Sequence, residues 1–111
     1  MTTAGQPGAL TASRLAVFLD GAVAEAVIDA GRAVWCRWYS ATSGNAVDNW
    51  ALNGSWSQWY GIASGAVDVS IAAASVMPSS QNLAYISLVT DPGQRQVHKI
   101  TPGGQVSGVA L

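Results

Sequence analysis

Short segments of the chain alternate between apolar residues and polar or small ones. In one of them, Val67, Val69 and Ile71 occupy every second position. A period of two residues is that of a β-strand that buries one of its faces. The segments are also rich in Val, Ile, Trp, Tyr and Thr, the residue types that favour strands. We therefore predict strands at residues 14–19, 22–30, 33–41, 46–52, 56–62, 67–74, 83–90, 94–100 and 105–110.

Turn-forming residues separate these segments at intervals of about 8 to 15 residues. Gly, Pro, Asn and Asp cluster there because they readily adopt the backbone angles of tight turns. Short strands with such regular separation are typical of all-β domains, so we predict antiparallel sheets of short strands. The turn clusters lie at residues 43–45, 53–54, 61–65, 78–82, 91–93 and 102–104.

The segment at residues 20–31 is compatible with either a strand or a helix. Asp20 is a suitable helix N-cap, and Glu25 and Asp29 are four residues apart, which places them on one face of a helix. Apolar residues would then cover the opposite face. We predict a strand because of the place of this segment in the repeat described next. The alternative is an α+β fold or a β-sandwich with one helix near residues 20–31.

The spacing of the turns suggests an internal repeat of 50 residues. A shift of this length aligns the tail of the chain with its middle without a gap. A four-stranded unit of this size matches a β-propeller blade, and one blade cannot cover its own faces. We therefore expect residues 14–111 to form one β-rich domain of two blade-like units that close through oligomerisation, and residues 1–13 to form a flexible or draped arm. The aligned pairs include Trp35 with Tyr85, Val47 with Val97, Gly54 with Gly104, and Ser57 with Ser107.

The composition restricts the class of protein. The 111 residues are 50% hydrophobic and only 10% charged, with a net charge of −1, whereas globular domains have about 25% charged residues. Such a chain is not disordered. Part of its apolar surface is expected to be an interface, which predicts a homo-oligomer. Because the chain has no basic cluster, we do not expect it to bind nucleic acid.

Two further features concern location and redox chemistry. The longest stretch without charge, residues 69–90, contains Pro78 and polar residues in its middle, so we predict neither a membrane-spanning helix nor a membrane partner. Residues 1–13 lack the features of a secretory signal, and we expect cytoplasmic synthesis. Cys36 is the single cysteine, which excludes an intrachain disulfide. We predict that it is buried as a small apolar residue.

Aromatic residues are concentrated in one part of the chain, because all five Trp lie between residues 35 and 59. In an extended strand Trp35, Arg37 and Tyr39 point to one side, and Cys36 and Trp38 point to the other. At least one aromatic face is therefore predicted to be a surface or an interface. An exposed Trp offers a flat apolar plate for the C–H face of a sugar ring. The alternative is that these residues belong to the core and to subunit contacts.

The Trp56-Ser57-Gln58-Trp59 segment and the residues after it resemble the blades of tectonin-like β-propeller lectins. In that family a Trp-x-x-Trp segment precedes a glycine-containing turn, an Ala-rich strand, a strand of the Arg-Leu-x-Val-Phe kind and a strand ending near His-Lys-Trp. Similar features occur here at residues 56–59, 61–65, 71–75, 82–86 and 97–100. The similarity covers about half of the chain. The second copy of the Trp-x-x-Trp segment, residues 106–109, lacks both Trp.

The resemblance implies that a sugar binds beside Trp56 and Trp59. Asn49 and His98 are at equivalent blade positions and would bind its hydroxyl groups. Trp38 and Trp50, from the same aromatic cluster, complete the predicted ligand-binding residues. The missing Trp pair in the second copy argues against a full set of sites.

The sequence contains no recognisable catalytic or metal-binding constellation. Cys36 and His98 supply too few ligands for a metal site, and no spacing indicates a Ser-His-Asp arrangement. The six carboxylates form no evident pair across a cleft, and we interpret them as strand ends or caps. We therefore predict that the chain is not an enzyme and uses no cofactor.

These observations favour a non-enzymatic, lectin-like module that binds carbohydrate, forms oligomers and has a glycan as its partner. The alternative is a structural virion protein of a bacteriophage, either a capsid decoration protein or a tail component, which contacts other virion proteins. The low charge, the high apolar content and the N-terminal arm favour this second interpretation.

Overall fold

The chain is an all-β protein, as predicted. A computed structural model describes residues 5–18, 21–41, 54–76 and 81–109, which form nine strands and no helix. Within these residues, therefore, no helix is long and apolar enough to cross a membrane. The strands are β1 (Leu10–Val17), β2 (Val23–Asp29), β3 (Val34–Ala41), β4 (Gly54–Trp56), β5 (Tyr60–Ala63), β6 (Ala66–Val76), β7 (Gln81–Thr90), β8 (Arg95–Ile100) and β9 (Val106–Val109).

The strands form two antiparallel sheets of consecutive elements. The first sheet contains β1, β2, β3 and β4 in this order, and β5 also pairs with β3. The second sheet contains β6, β7, β8 and β9 in this order. β6 packs against β1 and β2. The edge strands β1 and β6 therefore lie on the same side of the molecule.

The core lies between the two sheets. One cluster of buried residues combines Val34, Cys36 and Trp38 of the first sheet with Ile86 and Leu88 of the second. Cys36 is fully buried, as predicted, and this burial raises the pKa of its thiol to about 12. A thiol with so high a pKa stays protonated and unreactive at neutral pH.

Tyr60 of β5 connects the first sheet to the turn between β8 and β9. Its ring lies so close to the backbone of Gly104 that a Cβ atom at this position would overlap with the ring. Gly104 also has a φ of 89°, which residues with a side chain rarely adopt. Both requirements select glycine here.

Residues 23–29 form a strand and not a helix, which confirms the strand prediction for this segment. Ala24, Ala26 and Ile28 are buried in the core between the sheets. A strand places these three alternate residues on one face, whereas a helix would point Ala26 away from the other two. Pairing with β1 and β3 therefore decides what the local sequence leaves open.

Some strand boundaries differ from the predicted ones. β1 begins at Leu10, four residues before the predicted strand and within the predicted arm. The predicted strand at residues 56–62 consists of two strands, β4 and β5. The predicted strand at residues 46–52 lies outside the described residues.

The hypothesised repeat aligns β3 with β7. Trp35 and Tyr85 are both half-buried and alternate with core residues, so each points away from the core. The next aligned strands differ in their pairing, because β4 pairs with β3 whereas β9 pairs with β8. Val47 lies outside the described residues. The two blade-like units and their closure through oligomerisation stay a hypothesis.

Candidate ligand-binding face

A row of apolar side chains crosses the outer face of the first sheet. Val17 of β1 lies opposite Val23 of β2, which lies opposite Tyr39 of β3. Tyr39 in turn lies opposite Trp56 of β4. Directly paired residues point to the same face, and the neighbouring Trp38 points into the core, so these four residues point outward. We call them the apolar row; Val17 is 68% exposed and Trp56 is 41% exposed.

Arg37 lies next to the apolar row, between two Trp rings. Its Cζ atom is 4.0 Å from the ring centroid of Trp56 and 4.4 Å from that of Trp59. A guanidinium group in this position is attracted to the electron-rich faces of the rings. Tyr39 contacts Trp56 edge-on, with the ring centroids 5.3 Å apart. Trp56 is therefore held in place although much of it is exposed.

A break between β4 and β5 brings the two Trp residues to the same cation. In a continuous strand, Trp56 and Trp59 would point to opposite faces because they are three residues apart. Ser57 interrupts the strand, since its N–H donates to the Trp38 carbonyl (2.7 Å) and its Oγ accepts the Trp38 N–H (2.9 Å). The Ser57 hydroxyl thus replaces a backbone acceptor and keeps the chain next to β3. For this reason the prediction of a single strand at residues 56–62 is wrong.

Glu25 of β2 balances the charge of Arg37. The Nε of Arg37 donates to Oε1 of Glu25 at 2.8 Å, and the Oγ of Ser13 donates to Oε2 at 2.8 Å. The side chains of Arg37 and Glu25 are only 28% and 13% exposed, so solvent reaches little of this ion pair. The region beside the apolar row is consequently polar but close to neutral.

The N-terminal segment covers another part of the same outer face. Gly5 lies against the ring of Trp35, where a Cβ atom would be 3.2 Å from Cη2. Val27 lies opposite Trp35 and is fully buried, although it does not belong to the core between the sheets. The outer face is therefore divided into a covered part around Trp35 and an open part that contains the apolar row.

The carboxylate of Asp29 attaches the N-terminal segment to the covered part. Its Oδ2 accepts the N–H of Gly8 (3.0 Å) and the Nε1–H of Trp35 (3.1 Å). Its Oδ1 accepts the N–H groups of Gly31 (2.9 Å) and Ala33 (3.0 Å). These hydrogen bonds stabilise the charged form of Asp29 and lower its pKa, and the bond from Gly8 has the largest effect.

The structure brings together only some of the predicted ligand-binding residues. Trp56 and Trp59 lie on the outer face, where both rings contact Arg37. Trp38 does not join them, because it is 2% exposed in the core and its ring packs 5.3 Å from that of Phe18. The assignment of Trp38 to ligand binding is thus corrected by the alternation along β3. Asn49 and Trp50 lie outside the described residues.

His98 lies in β8 of the second sheet and not in the sheet that contains Trp56. Its Nε2 is 3.1 Å from Oε1 of Gln96. Partial burial lowers the pKa of His98, so the imidazole is neutral at neutral pH. It lines a shallow groove together with Arg95 and Gly108.

Sequence reasoning missed the part played by Glu25 and Arg37. A signal for Arg37 was available, because it occupies the position between Trp35 and Tyr39 on the same side of one strand. Glu25 could be found only from the register of β2 and β3, which places it directly opposite Arg37. A single sequence does not reveal this register.

In the four described ranges, no group of three or more His, Cys, Asp or Glu residues is placed to hold a metal ion. Comparisons with protein-family models, curated proteins and solved structures find no match. By its fold, the chain is a two-sheet, all-β protein with an exposed aromatic face.

Proposed function

We propose that the chain is a non-enzymatic, lectin-like carbohydrate-binding module in which Trp56 is the plate for a sugar ring. The supporting observation is the exposed Trp56 ring, which Arg37 contacts on one face and Tyr39 contacts in a T-shaped arrangement. Arg37 lies over one face of this ring, and 41% of the surface of Trp56 remains exposed. A sugar can place its C–H groups on such a plate. Because the plate is already ordered, little conformational entropy is lost on binding.

Polar groups beside the plate would bind the hydroxyl groups of the sugar. Arg37 uses its Nε for Glu25, and its two Nη groups are further donors. Glu25 fixes the position of the guanidinium, because its Oε1 accepts from Arg37 and its Oε2 accepts from Ser13. Because Arg37 and Glu25 neutralise each other, the site favours a neutral sugar over an acidic one. Trp59 also contacts the guanidinium and helps to keep it in this position.

Titration with a panel of neutral monosaccharides, followed by Trp fluorescence and calorimetry, tests the proposal. We expect at least one sugar to bind with a millimolar or lower Kd, and the Trp56→Ala variant to lose this binding. Val67→Ala is the matched control, because Val67 is 52% exposed but lies in the second sheet. The proposal is contradicted if no sugar in a broad panel binds to the folded protein.

A second candidate is a structural virion protein of a bacteriophage, and it is favoured by the aliphatic residues of β1. Leu15 and Val17 are 59% and 68% exposed on the outer face of the first sheet. A sugar site has no need of exposed aliphatic side chains on a flat sheet, whereas proteins that assemble bury them in contacts. Stability would then come partly from neighbouring subunits.

The double substitution Leu15→Ser with Val17→Ser separates the two candidates. A carbohydrate-binding module keeps its sugar Kd in this variant, because the plate at Trp56 is untouched. A structural protein loses assembly beyond any dimer, which native mass spectrometry over a range of concentrations would detect. Leu10→Ser is the control, since Leu10 is 49% exposed on the same strand but lies at the opposite end of β1 from Leu15 and Val17.

A further inference from the structure

The edge strands of the two sheets differ in their protection against pairing with another strand. A free edge presents backbone N–H and C=O groups and recruits further strands unless it is short, bulged or charged. Among the described residues, the edge strands β4, β5 and β9 have only three or four residues each. The edge strand β1 has a bulge between Leu10 and Ala12 and contains Arg14. These four edges are therefore protected.

The edge of β6 lacks this protection over most of its length. β6 is the longest described strand, with 11 residues, and among the described residues it pairs with β7 alone. Its bulge and its single charge, Asp68, both lie near its beginning. Residues 69–76 contain neither charge nor proline. The exposed residues Ser70, Ala72 and Ala73 lie within this open part of the edge.

We infer that β6 is an oligomerisation edge that pairs antiparallel with β6 of a second copy of this chain. The contact would join two four-stranded sheets into one sheet of eight strands. Backbone hydrogen bonds supply the affinity in such strand addition, and side chains in alternation define the register.

A second copy fits this edge better than an unrelated strand does. An antiparallel pair of identical strands has a two-fold axis, so the contact is closed at the dimer and leaves no further free edge of this kind. Because residues 69–76 are uncharged, no like charges oppose each other across the pair. At the start of β6, Asp68 lies 4.0 Å from Arg14, which has the opposite charge, so this pair adds no net charge beside the edge.

Symmetry determines which residues lie on the axis. Directly opposite residues of an antiparallel pair share a face, so one residue must lie opposite its own copy, and the two-fold axis passes midway between these two. The middle of the uncharged part places the axis at Ala72 or Ala73. A residue on the axis meets its own copy with the Cα atoms about 5 Å apart, a separation that permits a disulfide. Ser70 would lie about 14 Å or more from its copy.

Cross-linking of single-cysteine substitutions tests this arrangement. We expect Ala72→Cys or Ala73→Cys to form a disulfide-linked dimer under mild oxidation, whereas the matched control Ser70→Cys does not. Cys36 does not compete, because it is fully buried and its pKa is about 12. Equal cross-linking at all three positions, or cross-linking at none of them, would overturn the proposal.

Analytical ultracentrifugation provides a second test that needs no cross-link. We expect the wild-type chain to form a dimer, and Ala72→Lys to raise the dimer Kd about tenfold or more, because two like charges then meet near the axis. Gln105→Lys adds the same charge at an exposed turn and should dimerise like the wild type. A wild-type monomer at all soluble concentrations, or equal Kd values for the two variants, would contradict the inference.

The two tests are independent of the proposed sugar site. If both proposals are correct, Trp56→Ala loses sugar binding but still dimerises, and Ala72→Lys loses the dimer but still binds sugar. Failure of one proposal is therefore distinguishable from failure of the other.

Discussion

Trp35 and Trp56 lie on the same outer face of the first sheet, but their surroundings differ. Trp35 donates its Nε1–H to Asp29, and Gly5 lies against its ring. Trp56 stacks on Arg37 and keeps 41% of its surface exposed. An aromatic residue on a sheet face is therefore not by itself a binding site. A covered and hydrogen-bonded ring stabilises the fold, whereas an open ring held by a cation is available to a ligand.

Loss of the Asp29 carboxylate should destabilise the covered part most. In Asp29→Ala, three backbone N–H groups and the indole of Trp35 lose their acceptor together. We expect the free energy of unfolding to fall by about 3 kcal/mol, measured by urea denaturation. Asp91→Ala is the control, because its ion pair with Arg32 is exposed and should contribute less than about 1 kcal/mol. Similar losses in the two variants would show that Asp29 does not hold this part together.

Replacing Trp35 or Trp56 by Ala compares the covered part of the outer face with its open part. Trp35→Ala removes a half-buried ring and the donor to Asp29, and we expect a loss of about 2 kcal/mol in the free energy of unfolding. Trp56→Ala removes a more exposed ring, and we expect a loss below about 1 kcal/mol. Urea denaturation of both variants provides the measurement. If Trp56→Ala were the more destabilising variant, the open ring would be part of the structural framework, and its role as a plate would be in doubt.

The pH dependence of the free energy of unfolding tests the role of Asp29. Because its pKa is lower in the folded chain than in the unfolded chain, Asp29 contributes stability at all pH values above its unfolded pKa. This contribution begins to decrease as the pH falls below about 4, and it is lost as the pH falls through the pKa that Asp29 has in the folded chain. The loss is smaller than in Asp29→Ala, since a protonated carboxyl group still accepts hydrogen bonds. Urea midpoints measured from pH 7 down to acid pH should therefore converge for the wild type and Asp29→Asn, and parallel curves would argue against this role.

The residues on the inner face of the first sheet could be predicted from the sequence better than the contacts on its outer face. Alternation alone predicts that Cys36 points away from Arg37, and the burial of Cys36 agrees. The same alternation, applied strictly, would have removed Trp38 from the ligand-binding residues. The pairing of Glu25 with Arg37 depends on register, and the break at Ser57 depends on a hydroxyl that replaces a backbone acceptor. Neither follows from a hydrophobic period.

Substitution of Arg37, the cation that distinguishes Trp56 from Trp35, should change stability least. Arg37→Lys keeps the positive charge but removes the planar group between the two rings and the Nε donor to Glu25. We expect the free energy of unfolding to fall by about 0.5 to 1 kcal/mol, with Trp emission shifted to longer wavelength as Trp56 and Trp59 gain contact with water. Arg95→Lys, at an exposed position in the second sheet, should leave the emission unchanged. If Arg37→Lys also left the emission unchanged, Tyr39 and the backbone would suffice to hold Trp56. Trp35 and Trp56 would then differ only in the groups that cover them.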